Sequence, residues 1–568
     1  MRAPLIVTRN APADCVERLI EANVPPLLAR LYAARGIAQT TDLDCALSGL
    51  ARPEAMRNLA HMAQLLADAI ARKEKLLIVA DYDADGATAC AVGIRALRAF
   101  GAHVDYLVPD RMRHGYGLTP DIVGIAAETC APDVLITVDN GIASVEGVAE
   151  ANRRGLKVLI TDHHLPGASL PEAWCIVNPN QPGCDFPSKH LAGVGVMFYL
   201  MTALRAELRS RGAFREMREP NLGALLDLVA LGTVADVVRL DRNNRILVRQ
   251  GLERIRNRRM QPGLAALFEI VGRDPQCATT YDLGFVLAPR INAAGRLADM
   301  AVGIECLITD DAGRTRDLAG HLDALNRERR LVEAGMHETA LAAVERMAVQ
   351  EGYTLALFDP AWHAGVVGLI ASRLKERFHR PTIAFARGAD GEIRGSGRSI
   401  PALHLRDLLD LIAKREPGLL LRFGGHAAAA GLTLRERDFE RFATAFEAAA
   451  QAVLTFADIE RQLETDGSLD VADIRLDLAL RMQREVWGAG FPEPRFYDTF
   501  DVSSQRVVGE RHLKLRLARA DRTFEAMLFG ATDPLPSRIA ALYRMEVNEY
   551  NGTRAVRLSV EHWHAPRA

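Results

Sequence analysis

Leu76-Leu77-Ile78-Val79-Ala80-Asp81-Tyr82-Asp83-Ala84-Asp85-Gly86 decides the fold. The apolar half is a short unbroken run, which reads as a strand buried on both faces, as in a parallel sheet. Three carboxylates at alternate positions follow at once, then a glycine and helical sequence over residues 87–100. Similar apolar runs recur at 104–108, 134–138 and 158–160, with helical sequence at 144–154 between the last two. An amphipathic helix over 56–72 precedes the first run, with Leu59, Met62, Leu65, Leu66 and Ala69 at helical spacing. Strand and helix alternate as βαβ units, which predicts an open α/β parallel sheet from about residue 75 to about residue 240.

The chemistry collects where these strands end. Asp81, Asp83 and Asp85 follow the first run, Asp139-Asn140-Gly141 follows the run ending at Val138, and Asp162-His163-His164 lies just past Ile160. Open α/β sheets bind ligands in the crevice beyond the carboxyl ends of their strands. Carboxylates gathered there repel one another unless cations neutralise them. Hard oxygens with an imidazole suit Mg²⁺ or Mn²⁺, the imidazole favouring Mn²⁺. Asp236 adds a further acid within the apolar segment 232–238. Taken singly, Asp81, Asp83 and Asp85 are as readily a loop with helix-cap residues, and a lone Asp-His-His is structural more often than not. All three at strand ends are hard to obtain from turn chemistry, so the joint metal reading prevails.

The rest of the chain bounds the function. At 568 residues it holds three to four domains of roughly 150 residues each. Lys and Arg number 70 against 72 Asp and Glu, a net charge of -2, which excludes a uniformly positive surface and leaves nucleic-acid contact to local basic patches. None of the eight cysteines forms a CxxC pair, so no zinc ribbon is suggested and reduced thiols are expected. No secretory core or membrane-spanning run is seen, and a cytoplasmic protein with no membrane association is expected. Residues 310–350 read as one long helix or a pair, and a second α/β pattern starts at Tyr353 and closes with the small-residue segment Gly424 to Gly431. From Phe496 the pattern alternates, with an Asn551-Gly552 hairpin signal, which predicts a C-terminal β-barrel. The expected divisions are 1–55, 56–308, a helical linker 309–351, 352–455 and 456–568.

Basic and small residues offer candidate phosphate contacts. Arg111 and Arg113 lie in a glycine-containing loop, Arg290 and Arg296 flank Asn292, and Ser396 and Arg398 share a Gly-Ser-Gly-Arg-Ser segment with the fittings of a phosphate cradle. The terminal barrel mixes Arg506, Arg511, Lys514, Arg516, Arg544, Arg554 and Arg557 with Tyr550, a composition suited to single strands. Gly193-Val194-Gly195 resembles part of a dinucleotide loop but lacks the third glycine.

In order and spacing, Asp83-Ala84-Asp85-Gly86, Asp139-Asn140-Gly141, Asp162-His163-His164 and Asp236 resemble the four motifs of the DHH phosphoesterase superfamily. Gly424-Gly425-His426 through Gly431 resembles the signature of its associated C-terminal domain, with Ala428 in a stretch that often carries Met. The domain order is similar to that of the superfamily's single-strand-specific 5′→3′ exonucleases, which act in DNA repair and recombination. That resemblance implies a parallel-sheet phosphoesterase domain, a helical linker, a smaller α/β associated domain and an OB-like barrel. It implies two divalent cations, Mn²⁺ or Mg²⁺, held by Asp83, Asp85, Asp139, His163 and Asp236. Asp81 would support them, His164 would contact the scissile phosphate and Asp162 would orient the imidazoles. Ser396 and Arg398 would take the 5′-phosphate, with Arg111, Arg290, Asn292 and His426 also on the substrate. The implied partners are single-stranded DNA and, as candidate proteins, a single-strand-binding protein and a helicase; a monomer is expected. Two other classes stay open: a phosphoesterase of small nucleotides or short oligonucleotides, and a non-catalytic DNA-binding scaffold. Intact ligand positions speak against the second, chain length against the first.

Overall fold

In the computed structural model of the chain, residues 4–110, 113–216, 218–347, 352–550 and 552–566 are described. They divide into two compact units, one built from Thr8–Gly295, Asp299–Asp323 and Glu464–Ala568, the other mainly from Ala324–Leu463.

The first unit holds a five-stranded parallel sheet: β1 (Lys75–Ala80), β2 (His103–Leu107), β3 (Val134–Val138), β4 (Lys157–Thr161) and β5 (Cys175–Val177), in the order β2-β1-β3-β4-β5. Three-residue β5 at the edge is too short to leave a periodic signal, and the sequence reading missed it. Both faces of the central strands are buried, which is why they are apolar apart from Lys75 at the exposed start of β1 and the buried hydroxyl of Thr137 in β3. Leu77, Val79, Leu135, Val158 and Ile160 pack with Ile122 and Val148 of helices Pro120–Thr129 and Val145–Arg153. On the other face Ile78 meets helix Ala84–Ala99, hereafter α1, where a Cβ on Gly93 would lie 2.9 Å from the Ile78 side chain.

Two further helices complete the ground on which the site stands: α2 (Gly193–Ser210) and α3 (Leu226–Ala235). The apolar segment around Asp236 is thus the end of a helix rather than of a strand. Helix α3 is buried over Leu226–Thr233, and an all-round apolar helix carries no periodic signature.

The C-terminal part of this unit is a closed five-stranded barrel of strands Phe496–Val508, His512–Arg519, Arg522–Phe529, Arg538–Tyr550 and Thr553–His564. Leu513, Leu515 and Leu517 point inward with Phe524, Ala526, Ile539, Tyr543 and Leu558, as the alternation predicts. Tyr550 pairs with Thr553 across the expected hairpin; Asn551 itself lies outside the described residues.

The second unit carries a mixed five-stranded sheet containing Leu355–Phe358, Thr382–Arg387 and Glu392–Arg398 together with the hairpin Arg422–Gly425 and Ala429–Arg435. Its core joins Phe385, Leu432 and Leu434 to Phe442 and Phe446 of helix Phe439–Gln451. The expected helical linker is a single helix, Ala312–Glu345. Among the described residues no helix is long and apolar enough to cross a membrane.

Candidate active site

At the carboxyl end of β1 the chain turns through Asp81 and Tyr82 into α1. Asp83 is the N-cap of that helix, its Oδ1 accepting the N–H groups of Asp85 (2.9 Å) and Gly86 (3.0 Å). Asp85 is buried in the first turn, and the peptide N–H groups of Gly193 and Val194 at the start of α2 donate to its two oxygens at 2.6 and 3.0 Å.

The next strand end delivers Asp139 with φ of 63°, a left-handed conformation that Asp tolerates better than most residues. Asn140 ties the two strand ends together, its amide donating to the carbonyls of Val79 (3.2 Å) and Val138 (2.9 Å). Gly141 is required twice over, by its φ of 111° and because a Cβ would fall 2.5 Å from Thr137 Oγ1.

After β4, one oxygen of buried Asp162 accepts the N–H groups of His163 (2.7 Å) and His164 (3.1 Å) and lies 2.8 Å from His164 Nδ1. Its other oxygen accepts the Ile142 N–H at 2.9 Å. The histidine carbonyls are held from beyond by Asn180 (2.6 Å to His163) and Asn178 (2.9 Å to His164). His163 Nε2 then stands 3.0 Å from Asp139 Oδ1 and 3.4 Å from Asp236 Oδ2.

Three overlapping groups result: Asp81, Asp83 and Asp139; Asp85, His163 and Asp236; Asp139, His163 and His164. Within each, the potential ligand atoms lie within 4.8 Å of one another. Burial, and then neighbouring Asp83, push Asp85 up to about 7. Asp139 and Asp236 are driven well above the usual carboxylate range, by burial first and Asp85 next. Asp162 goes the other way: burial opposes its charge, yet the bond and the charge of His164 bring it down to about 2. His164 rises to about 9 against burial because Asp162 holds its proton. Asp139 Oδ1 is buried and, beyond its 3.0 Å approach to His163 Nε2, accepts no well-aligned hydrogen bond among the described residues. Anionic oxygens crowded in this way, with imidazole beside them, are the donor set of a divalent-cation site.

The structure therefore brings together Asp81, Asp83, Asp85, Asp139, Asp162, His163, His164 and Asp236. Sequence reading missed four supports. Tyr116 sets its hydroxyl 3.3 Å from the Asp139 carbonyl and from His164 Nδ1; its Gly115-Tyr116-Gly117 setting was the available signal. Asn178 and Asn180 had none beyond a turn-like Asn-Pro-Asn. Gly193 is the fourth: a Cβ there would lie 2.7 Å from the Cβ and Oδ1 of Asp139. The glycines read as half a dinucleotide loop instead admit a helix start against two carboxylates.

The expected substrate residues are differently placed. Arg290 is buried, its Nε donating to Asp323 at 2.9 Å and its Nη1 to the Val286 carbonyl. Asn292 Oδ1 accepts the Ala84 N–H at 2.8 Å, securing the first turn of α1. Arg111 lies outside the described residues. In the second unit, Arg398 Nη1 donates to Ser396 Oγ (3.2 Å) and the Gly397 carbonyl (2.8 Å). Both residues pack on Gly368 in helix Val367–Phe378, where a Cβ would meet Ser396 Oγ at 2.8 Å. His426 is exposed in the turn between Arg422–Gly425 and Ala429–Arg435. On the barrel, Lys514, Arg544, Arg554 and Arg557 are each paired with a glutamate, while Arg506, Arg511 and Arg516 are exposed.

Comparison with known proteins agrees with this layout. Residues 75–233 match the DHH family N-terminal domain, 348–452 the DHHA1 domain and 465–562 the RecJ OB domain. The single-stranded-DNA-specific exonuclease RecJ of Dickeya dadantii is 47% identical over 98% of this chain and 99% of its own. The crystal structure of RecJ in complex with Mn²⁺ from Thermus thermophilus matches with a TM-score of 0.82 at 31% identity, covering 99% of this chain and 80% of that one. The Mg²⁺ complex from the same organism gives 0.77 at 29%, covering 99% and 78%.

Proposed function

Because the chain belongs to the RecJ family of single-stranded-DNA-specific exonucleases, we propose that it shortens single-stranded DNA from the 5′ end, releasing 5′-mononucleotides by metal-dependent hydrolysis. The observation that carries this reading is the meeting of carboxylates and imidazoles from four separate chain segments at one strand edge. Asp83, Asp85, Asp139, His163 and Asp236 would hold two divalent cations, Mn²⁺ or Mg²⁺, with Asp81 in support. When bound, such a pair supplies the positive charge that activates water and stabilises the leaving oxygen, so no protein nucleophile is needed. The chain's own residues do the positioning. Asp162 holds the proton of His164 at Nδ1, and the charged ring would turn Nε2, 3.4 Å from the Tyr116 hydroxyl, toward the scissile phosphate. Asn178 and Asn180 set the carbonyls of the two histidines. Ser396 and Arg398 would receive the 5′-phosphate, and the barrel would guide the strand. The domain limits we assign are 56–308 for catalysis, 352–455 for the associated domain and 456–568 for the barrel. Its place would be in cytoplasmic repair and recombination, as a monomer, alongside a single-strand-binding protein and a helicase.

The test combines binding with turnover. Mn²⁺ should raise the melting temperature of the chelator-treated protein, since binding to the folded state alone at a hundred times Kd stabilises by about 2.7 kcal/mol. With Mn²⁺, 3′-labelled single strands should shorten stepwise while blunt duplexes persist. No thermal shift together with no shortening would remove the proposal. Arg398→Ala should erase the preference for 5′-phosphorylated over 5′-hydroxyl strands, measured as a ratio of kcat/KM. An unaltered ratio would move the phosphate pocket elsewhere.

A further inference from the structure

Helix α3 gives way at Asp236, and the residue after it turns the chain. Val237 closes that turn with its N–H on the Val234 carbonyl at 3.3 Å and a φ of 60°. Helices commonly end on a left-handed residue at this position, but it is usually glycine and sometimes asparagine. Branching at Cβ makes valine one of the least tolerant residues there, so its presence is a true outlier. Of the non-glycine residues with left-handed backbone among the described residues, Val237 alone is β-branched.

Strain of this kind persists where packing or function demands it, and it gathers at active sites. Packing does not demand it here. Val237 is 71% exposed, so its side chain gains little from burial, and glycine or asparagine would make the same turn with less strain. What is particular to the position is its neighbour. Asp236 Oδ2 stands 3.4 Å from His163 Nε2 and joins Asp85 and His163 in one of the candidate ligand groups. Consecutive Cα atoms lie about 3.8 Å apart, which puts the exposed valine at the rim of that group.

We infer that Val237 is a specificity residue: its methyls meet the C2′ edge of the departing nucleotide's sugar and exclude a 2′-hydroxyl. This rests on the single-strand exonuclease reading, in which the leaving oxygen is the 3′ oxygen of that nucleotide. C2′ is bonded to the carbon that carries this oxygen, so the atom at which DNA and RNA differ comes close to the ligands of the cations. A methylene lies comfortably against an apolar side chain. A hydroxyl in its place leaves water for a surface that offers it no hydrogen bond. Apolar surfaces reject an added hydroxyl by up to about a hundredfold. The stiff β-branched side chain suits the task, since it has little rotamer freedom with which to move aside.

The experiment uses two 5′-phosphorylated DNA strands that differ only at the terminal nucleotide, with deoxyribose in one and ribose in the other. The ratio of kcat/KM for release of that nucleotide in Mn²⁺, deoxyribose over ribose, should be about tenfold to a hundredfold for the parent. In Val237→Asn and in Val237→Gly the ratio should fall by about tenfold or more. Without cations both variants should melt no lower than the parent, since asparagine and glycine accept the left-handed turn. Their half-maximal Mn²⁺ concentration should match the parent's. A parent indifferent to the terminal sugar overturns the inference, as does a ratio kept intact in both variants. A raised Mn²⁺ requirement with equal losses on the two strands overturns it too, and makes Val237 a support of Asp236. A parent that cleaves dinucleotides but neither strand overturns the underlying reading before any variant is made.

Discussion

Asp139→Asn is expected to lower strand cleavage by more than about a hundredfold, beyond the 10–100-fold typical of residues that only support metal ligands, and to leave the cation-free protein at least as heat-resistant as the parent. Asn keeps the shape and tolerates the φ of 63° at this position, so the backbone is preserved. What is lost is one charge from a buried group whose burial and carboxylate neighbours already disfavour ionisation. The two effects separate a cation site from a structural cluster: removing a charge should help the empty fold and ruin the loaded one. The same reasoning sets a pH dependence. Asp85 is raised in the fold to about 7, so its protonation stabilises the cation-free protein fully below the ordinary carboxylate pKa near about 4, a gain lost as pH climbs through about 7. Mn²⁺ should therefore raise the parent's melting temperature more at pH 8 than at pH 6, and Asp139→Asn should flatten that difference. Calorimetry with and without Mn²⁺ decides it; a variant that keeps both the Mn²⁺ shift and nuclease activity removes Asp139 from the site.

Gly193→Ala is the second large effect. The added methyl would overlap Asp139 at 2.7 Å, while the neighbouring N–H groups hold Asp85 at 2.6 and 3.0 Å. Either helix α2 withdraws and releases Asp85, or Asp139 is displaced. Overpacking of this kind costs about 1–3 kcal/mol, and loss of ligand orientation about 10–100-fold in metal affinity or activity. Both should appear together, as a lower denaturant midpoint and a higher Mn²⁺ requirement. Since Gly193 acts through Asp139 and Asp85, the split matters: excess Mn²⁺ should recover part of kcat, which it would not do if the variant merely unfolded. Full activity at limiting Mn²⁺ would show that the helix start has room to spare.

What was legible in the sequence is what the chain keeps local. Asp81, Asp83 and Asp85 announce themselves because a strand, a cap and a first helical turn must follow one another within a few residues. Strands β1, β3 and β4 were visible because burial on both faces keeps their central positions almost wholly apolar, whereas edge strand β2 carries exposed His103 and Asp105 among its apolar residues. Asp236 was visible as a residue but not as a helix end, since a wholly apolar helix and a buried strand look alike over a few residues. The roles of Gly193, Asn178, Asn180 and Asn292 were hidden, because each acts on a partner distant in the chain. The partner of Arg290 was hidden in the same way: Asp323, 33 positions away, faces its guanidinium at 2.9 Å.

Anchoring Asp85 through peptide groups has a consequence for redesign. A bond to main chain cannot be deleted by exchanging the side chain that follows it, so the buried valine at 194 can give way to another apolar residue of similar volume while its amide keeps hold of the carboxylate. Libraries that repack this corner could vary that side chain, provided the adjoining glycine is left untouched.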